Sequence, residues 1–285
     1  MVAHRQKKQF HRLTEGLFTY AVLAIIMFLV LFPVVWLLIC SLKSHLGVLE
    51  FPPTLKPEWA AAYKNYRSVL IGRGFVDLIR NSVVITLTAT LAALALGTPA
   101  AYGLSRFVFR GKDDLAFWIL SNRFIPIIAV ATPLYLVMRG FGLLNTLPGL
   151  ILPYVAFNLP LVVWVMKDFL DEIPAELDDA AMVDGCSRWG ALWRVIFPLS
   201  RPGLVATSIF CAIFTWNEML LGLYVTSTRV SQTVPVGAAG LISMDRGIDW
   251  GVSATVGIVT IIPIFAFSIL VRKEIVRGLT TGAFK

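Results

Sequence analysis

Between Leu17 and Leu42 the chain carries no charged residue, only aliphatic, aromatic and small side chains interrupted by Pro33. Such a run exceeds the about 20 residues that a helix needs to cross a bilayer. Lipid offers no partner to backbone N–H and C=O groups, so only helices and closed barrels span it. No stretch alternates apolar and polar residues as a barrel strand does. The remaining composition agrees, with 57% apolar residues, 15% charged residues and a mean hydropathy of +0.77. Soluble domains hold about 25% charged residues. An all-α membrane protein is expected. The first run is longer than a signal-peptide core and lacks a clear small-residue cleavage site, so it reads as a retained span.

Six spans are expected, at residues 17–42, 82–104, 115–138, 147–166, 203–225 and 252–271. They form one membrane domain over 17–271, flanked by tails 1–16 and 272–285. The net charge of +8 is spread between apolar runs instead of gathering into one basic stripe, which argues against nucleic acid as a partner. Basic residues favour segments 105–114, 167–202 and the two tails over segments 43–81, 139–146 and 226–251. By the positive-inside rule both termini lie in the cytoplasm. Segment 43–81, with Phe51-Pro52-Pro53 and Pro57, reads as a folded surface loop. Cys40, Cys186 and Cys211 lack ligand spacing, and His4, His11 and His45 stand apart, so no metal site is expected.

The stretch 167–202 is the longest inner segment and the least membrane-like. Pro174 suits a first helical turn, and Glu176, Asp178 and Asp179 suit the positive end of a helix dipole. Gly185 can end the helix in a left-handed conformation, Ser187 can cap a second helix, and Pro198 closes it. Two short helices with a sharp turn follow. A solvated helix–turn–helix connector would satisfy this pattern. A docking element is favoured by the connection's length and by the small side that Ala180 and Ala181 leave. Leu177, Met182, Val183, Trp189, Leu192 and Trp193 add an apolar surface with no internal core to meet it.

Glu176-Leu-Asp-Asp-Ala-Ala-Met-Val-Asp-Gly185, followed by Ile196-Phe-Pro-Leu-Ser-Arg-Pro202, resembles the EAA loop of binding-protein-dependent ABC importer permeases. Asp179 stands where the family has the glutamate of its triplet, and Phe197 where it has leucine. Asn81-Ser82, Gly142-Leu-Leu-Asn-Thr146 and Arg277-Gly-Leu-Thr-Thr-Gly-Ala283 are similar to carbohydrate-type permeases of the maltose importer group. The resemblance implies a coupling loop between spans 4 and 5, with Glu176, Asp179, Ala180, Ala181, Gly185 and Pro198 meeting an ATPase. Arg277, Gly278 and Thr280 would make a second ATPase contact, unless the tail is an ordinary basic membrane anchor. The expected partners are a second permease, two ATPase subunits and an external solute-binding protein. The implied site is a bacterial inner membrane, and the implied cargo a sugar, polyol or glycosyl-glycerol compound.

The chain itself lacks a phosphate-binding loop, since Arg106 occupies the leading glycine position before Gly111-Lys112 and Asp113 follows. With no catalytic constellation either, it reads as a non-catalytic transport subunit, with ATP and Mg bound by the partner ATPase.

Ionisable groups at bilayer depth are costly and mark function. Glu218, in Thr215-Trp216-Asn217-Glu218 of the fifth span, is the leading candidate for the substrate path, with Trp216, Asn217 and Asn158. A polar clamp between helices would explain Glu218 equally well. Asn158 and Trp164, in the fourth span, are the weaker candidates, and Arg123 reads as a side chain reaching the inner surface unless it faces the pore. Ala93, Gly97 and Ala101 recur every four residues and predict close helix packing, and Pro99 is expected to bend that helix. An ion-coupled secondary carrier using Glu218 is the alternative function, and a non-transporting scaffold a third. Neither explains the long loop, and no internal repeat supports a carrier.

Overall fold

The computed structural model describes residues 2–241 and 248–282, with side chains over 18–241 and 248–269. The described residues are helical, with no strand among them. The elements are α1 (Val2–Ser41), α2 (His45–Leu49), α3 (Trp59–Arg67), α4 (Phe75–Arg106), α5 (Lys112–Ser121), α6 (Ile127–Gly140) and α7 (Leu147–Asp171). Then come α8 (Glu176–Val183), α9 (Arg188–Ala191), α10 (Phe197–Leu199), α11 (Arg201–Asn217), α12 (Leu220–Val225), α13 (Val234–Ala239) and α14 (Trp250–Gly282).

Among the described residues, four stretches are long and apolar enough to cross a membrane alone: Phe18–Ser41, Phe75–Arg106, Leu147–Asp171 and Trp250–Ile269. They answer to expected spans 1, 2, 4 and 6, although α4 begins seven residues before residue 82 and α7 runs to Asp171. The expected span 115–138 falls on two helices, Lys112–Phe124 and Ile127–Gly140, that meet at 93°. Pro126 cannot donate into a helix and restricts Ile125 to extended backbone, at φ −67° and ψ 121°. The expected span 203–225 is also broken, because α11 ends at Asn217 and Glu218 is extended.

The chain divides into two compact units, Met1–Arg73 with Ser243–Val259 and Gly74–Ile242 with Thr260–Lys285. In the first unit the segment after α1 is folded, as its prolines suggest. The Asn65 side-chain amide donates to the carbonyls of Ser41 and Lys43, while buried Lys43 donates to Thr54 and to the Gly47 carbonyl. Thr255 Oγ1 bonds to the Ser41 carbonyl at 3.3 Å, and Gly251 packs against the Lys43 carbonyl.

The second unit is built on α4 against α7. Ala89, Ala93, Gly97 and Ala101 form one buried stripe, and a Cβ at Gly97 would stand 2.5 Å from Val162 Cγ1. The small residues are thus what let two helix backbones approach. Pro99 lies within a continuous α4.

Two of the short motifs singled out in the sequence are junctions. Asn81 Nδ2 donates to the carbonyls of Arg229, Val230 and Gln232, each at 3.1 Å, and Ser82 Oγ accepts the Val234 N–H. After α6, Gly142 takes φ +68° and the Leu143 N–H returns to Met138, closing the helix in a Schellman turn. Asn145 Oδ1 then accepts from Ser227 and Thr228, and Thr146 caps α7 through the Gly149 N–H. Asn81→Ala would strip these carbonyls of their donor. A loss of about 1–2 kcal/mol is expected, read as a lower melting temperature in detergent and faster proteolysis around residues 226–233. An unchanged melting curve would count against this role.

Candidate functional site

The connection between α7 and α11 folds as the sequence suggests, in two short helices. α8 opens with Glu176, Asp178 and Asp179 in its first turn. It ends in a second Schellman turn, with Gly185 at φ +85°, the Gly185 N–H on Met182 and the Cys186 N–H on Ala181 at 2.9 Å. Ser187 Oγ then caps α9 by accepting the Gly190 N–H. One detail is corrected: Pro198 does not close the second helix. The helix passes through a π turn at Leu192–Ile196, in which the Phe197 N–H bonds to the Leu192 carbonyl, and runs on to Leu199. The wider turn carries the helix to a proline that has no N–H to give.

Helical periodicity divides the acidic run. Asp178 and Ala181, three apart, face inward and are buried, whereas Glu176, Asp179, Ala180, Val183 and Gly185 are exposed. The expected small side is therefore split, with Ala180 outside and Ala181 inside. The expected apolar surface is also thinned, since Leu192 is buried and Met182 half-buried. What remains outside is Leu177, Val183 (87% exposed), Trp189 (63%) and Trp193.

Asp178 holds α8 to the end of α4. Tyr102 Oη donates to Asp178 Oδ1 at 2.6 Å, and Arg106 Nε donates to Oδ2 at 2.7 Å. Arg106 Nη2 also donates to the Ile173 carbonyl at 2.7 Å. Nearby, Ser105 Oγ donates to Asp171, which is paired with Lys167 at 2.7 Å. The Arg188 guanidinium lies 5.0 Å from the centre of the Phe107 ring. This grip was missed in the sequence, where Asp178 read only as an acid suited to the positive end of the helix dipole.

The polar candidates within the spans separate. Glu218 is not in the middle of a helix but at the break between α11 and α12, and is buried. Its Oε2 accepts from Tyr154 Oη at 2.8 Å and its Oε1 from the Leu221 N–H at 3.1 Å. Asn158 is fully buried, with Nδ2 donating to Thr215 Oγ1 at 2.9 Å and Oδ1 without a partner among the described residues. Trp216 is buried at the wall of an apolar crevice of about 320 Å³ between α4, α11 and α14, its Nε1 unpartnered among the described residues. Asn217 is exposed, with its amide on the Ile213 carbonyl. Arg123 closes the first half of the bent span, donating to the Phe157 carbonyl at 3.1 Å with its guanidinium 4.3 Å from the centre of the Phe214 ring. Arg277, Gly278 and Thr280 lie on α14, but their side chains are outside the described ones.

Residues 93–280 match the family described as "Binding-protein-dependent transport system inner membrane component". The trehalose transport system permease protein SugB of Mycobacterium tuberculosis is 39% identical over 259 residues, covering 90% of this chain and 92% of that one. The trehalose/maltose transport system permease protein MalG of Thermococcus litoralis is 33% identical, covering 90% and 91%. The sulfoquinovosyl glycerol transport system permease protein SmoH of Agrobacterium fabrum is 32% identical, covering 90% and 89%. Among solved structures, the fold resembles a chain of a bacterial ABC transporter involved in import of the acidic polysaccharide alginate. The TM-score is 0.75 at 22% identity, covering 90% of this chain and 95% of that one.

The chain belongs to the binding-protein-dependent inner membrane component family. It is a multi-pass membrane protein and a non-catalytic permease subunit of an ATP-driven ABC importer, in which a separate ATPase hydrolyses ATP. Family membership decides against the ion-coupled carrier.

Proposed function

We propose that this chain is one of two permease subunits of a bacterial inner-membrane importer for a sugar, polyol or glycosyl-glycerol solute. Two ATPase subunits, which alone bind ATP and Mg, would complete it, with an external binding protein delivering the cargo. The named cargoes of the relatives, trehalose, maltose and sulfoquinovosyl glycerol, support the carbohydrate class. Four long apolar helices with two bent pairs, Lys112–Phe124 with Ile127–Gly140 and Arg188–Leu199 with Arg201–Asn217, support up to six crossings, and the basic residues favour both termini inside.

The observation that carries this reading is the outward face of α8. Glu176, Asp179, Ala180 and Val183 project from a helix whose other face is tied down, and Trp189 is exposed on α9, the next helix. An exposed valine and an exposed tryptophan on successive helices gain when a partner covers them, a valine alone contributing about 1.5 kcal/mol or more. ATP binding would close the ATPases and carry loop 176–198 with them, turning the spans outward, and hydrolysis would reset them. Arg277, Gly278 and Thr280 would add a second contact. On the solute side Asn217 is the exposed member of the candidate set. Trp216, Asn158 and Glu218 would shape the path from behind it.

Ala180→Trp tests the docking face, because its side chain points out of the fold. The permease should still accumulate in the membrane, but ATPase copurifying with it should fall about tenfold or more, with ATP-driven uptake of labelled trehalose or maltose falling alongside. Full copurification and uptake would remove the docking assignment. Uptake driven by an ion gradient without any ATPase would remove the importer mechanism.

A further inference from the structure

We infer that Asp178, Tyr102 and Arg106 form the contact that transmits the ATPase's movement into the spans, making α4 the first helix driven. This inference rests on the docking of the loop proposed above.

Three points argue for it. First, Asp178 sits in the same acidic run as Asp179 but about 100° around the helix. Asp179 faces outward, and Asp178 is held by two charge-assisted bonds of 2.6 and 2.7 Å. Second, the ion pair is buried, with the side chains of Arg106 and Asp178 9% and 8% exposed. A surface pair yields easily, whereas a buried one resists separation because either partner alone would be left as an uncompensated charge. A push on α8 therefore moves the end of α4 with it instead of opening a gap. Third, α4 packs along α7 through the Gly97 stripe, so a displacement at residues 102–106 enters a close-packed helix pair. Arg106 also bonds the Ile173 carbonyl, so a single guanidinium ties both the entry to α8 and its first turn. These are positioning residues: they touch neither solute nor nucleotide.

The test uses the whole complex in proteoliposomes, with partner permease, ATPases and binding protein. Copurification, ATP hydrolysis and solute uptake per ATP are measured for Asp178→Asn, Arg106→Gln, the double variant and Tyr102→Phe. Each single charge removal should keep the ATPase bound, because the outward face is untouched, yet lower uptake per ATP about tenfold. The double variant should lose no more than either single, the signature of two residues acting as one unit. Tyr102→Phe, which removes one bond and no charge, should lower uptake per ATP about two- to threefold. It decides the matter if the charge variants fail to accumulate.

Normal uptake per ATP in Asp178→Asn, or in Tyr102→Phe where the former is unstable, overturns the inference. Losses that multiply in the double variant also overturn it. Failure of the docking reading looks different: Ala180→Trp would then retain its ATPase.

Discussion

Gly97→Leu is expected to leave almost no folded permease in the membrane. A Cβ at this position would lie 2.5 Å from Val162 Cγ1, 2.9 Å from Val162 Cβ and 3.6 Å from Leu159 Cδ2. Valine in a helix has essentially one side-chain rotamer, so Val162 cannot swing aside and α7 itself must retreat. The packing of α4 on α7, within the core that also holds Ala89, Ala93 and Ala101, would be opened. Gly97→Ala should cost about 1–3 kcal/mol, the usual range for overpacking a tight core. Leucine adds three more carbons to the same gap. The measurement is the yield of monodisperse permease and its melting temperature in detergent. Val162→Ala, which removes the nearer of the two clashing atoms, should restore part of the loss in the Gly97→Ala background. Near-normal yield of Gly97→Leu would mean that α4 and α7 do not meet at this point.

Ala93, Gly97 and Ala101 of that stripe are readable from the sequence because their four-residue spacing is a property of the helix alone. The same is true of Gly185 and Ser187, where a left-handed turn and a side-chain cap each need a particular residue type. The four unbroken membrane helices were legible from hydropathy. The two breaks were less so, for different reasons. Pro126 was visible, but hydropathy alone does not say whether a proline bends a helix or ends it; Pro99, Pro153 and Pro160 sit inside continuous helices. The break at Glu218 carries no proline or glycine at all. It is made by a carboxylate that accepts the Leu221 N–H and a phenol from α7, a partner 64 residues away that no local pattern reveals.

Asp178 marks the same limit in the candidate site. Periodicity alone pairs it with Ala181 on one face, yet only tertiary structure tells which face is inward. Its partners Tyr102 and Arg106 lie at the far end of another span. Asn81 and Asn145 had the opposite history. They stood out through resemblance and turn out to hold backbone together at loop junctions, which explains their residue type without any role in transport.

Glu218 is where the two readings of the membrane interior give opposite results. Its carboxylate accepts two hydrogen bonds and is buried beside Tyr154, which is itself wholly enclosed. Glu218→Ala would orphan the Tyr154 hydroxyl and the Leu221 N–H together, at about 1–3 kcal/mol for each buried group left unpaired. A large fall in melting temperature is therefore expected for the alanine variant. Glu218→Gln should fall much less, because its amide oxygen can keep the Leu221 N–H while its nitrogen donates to Tyr154 Oη. Tyr154→Phe should cost about 1 kcal/mol alone. Combined with Glu218→Ala it should add little, since the hydroxyl that the alanine variant orphans is already gone. A residue that met the solute directly would behave differently: Glu218→Gln would change the concentration dependence of uptake and leave the melting temperature where it was. Melting and uptake measured on the same preparations separate a clamp that holds the break between α11 and α12 from a contact with the cargo. The hydrogen bonds favour the clamp.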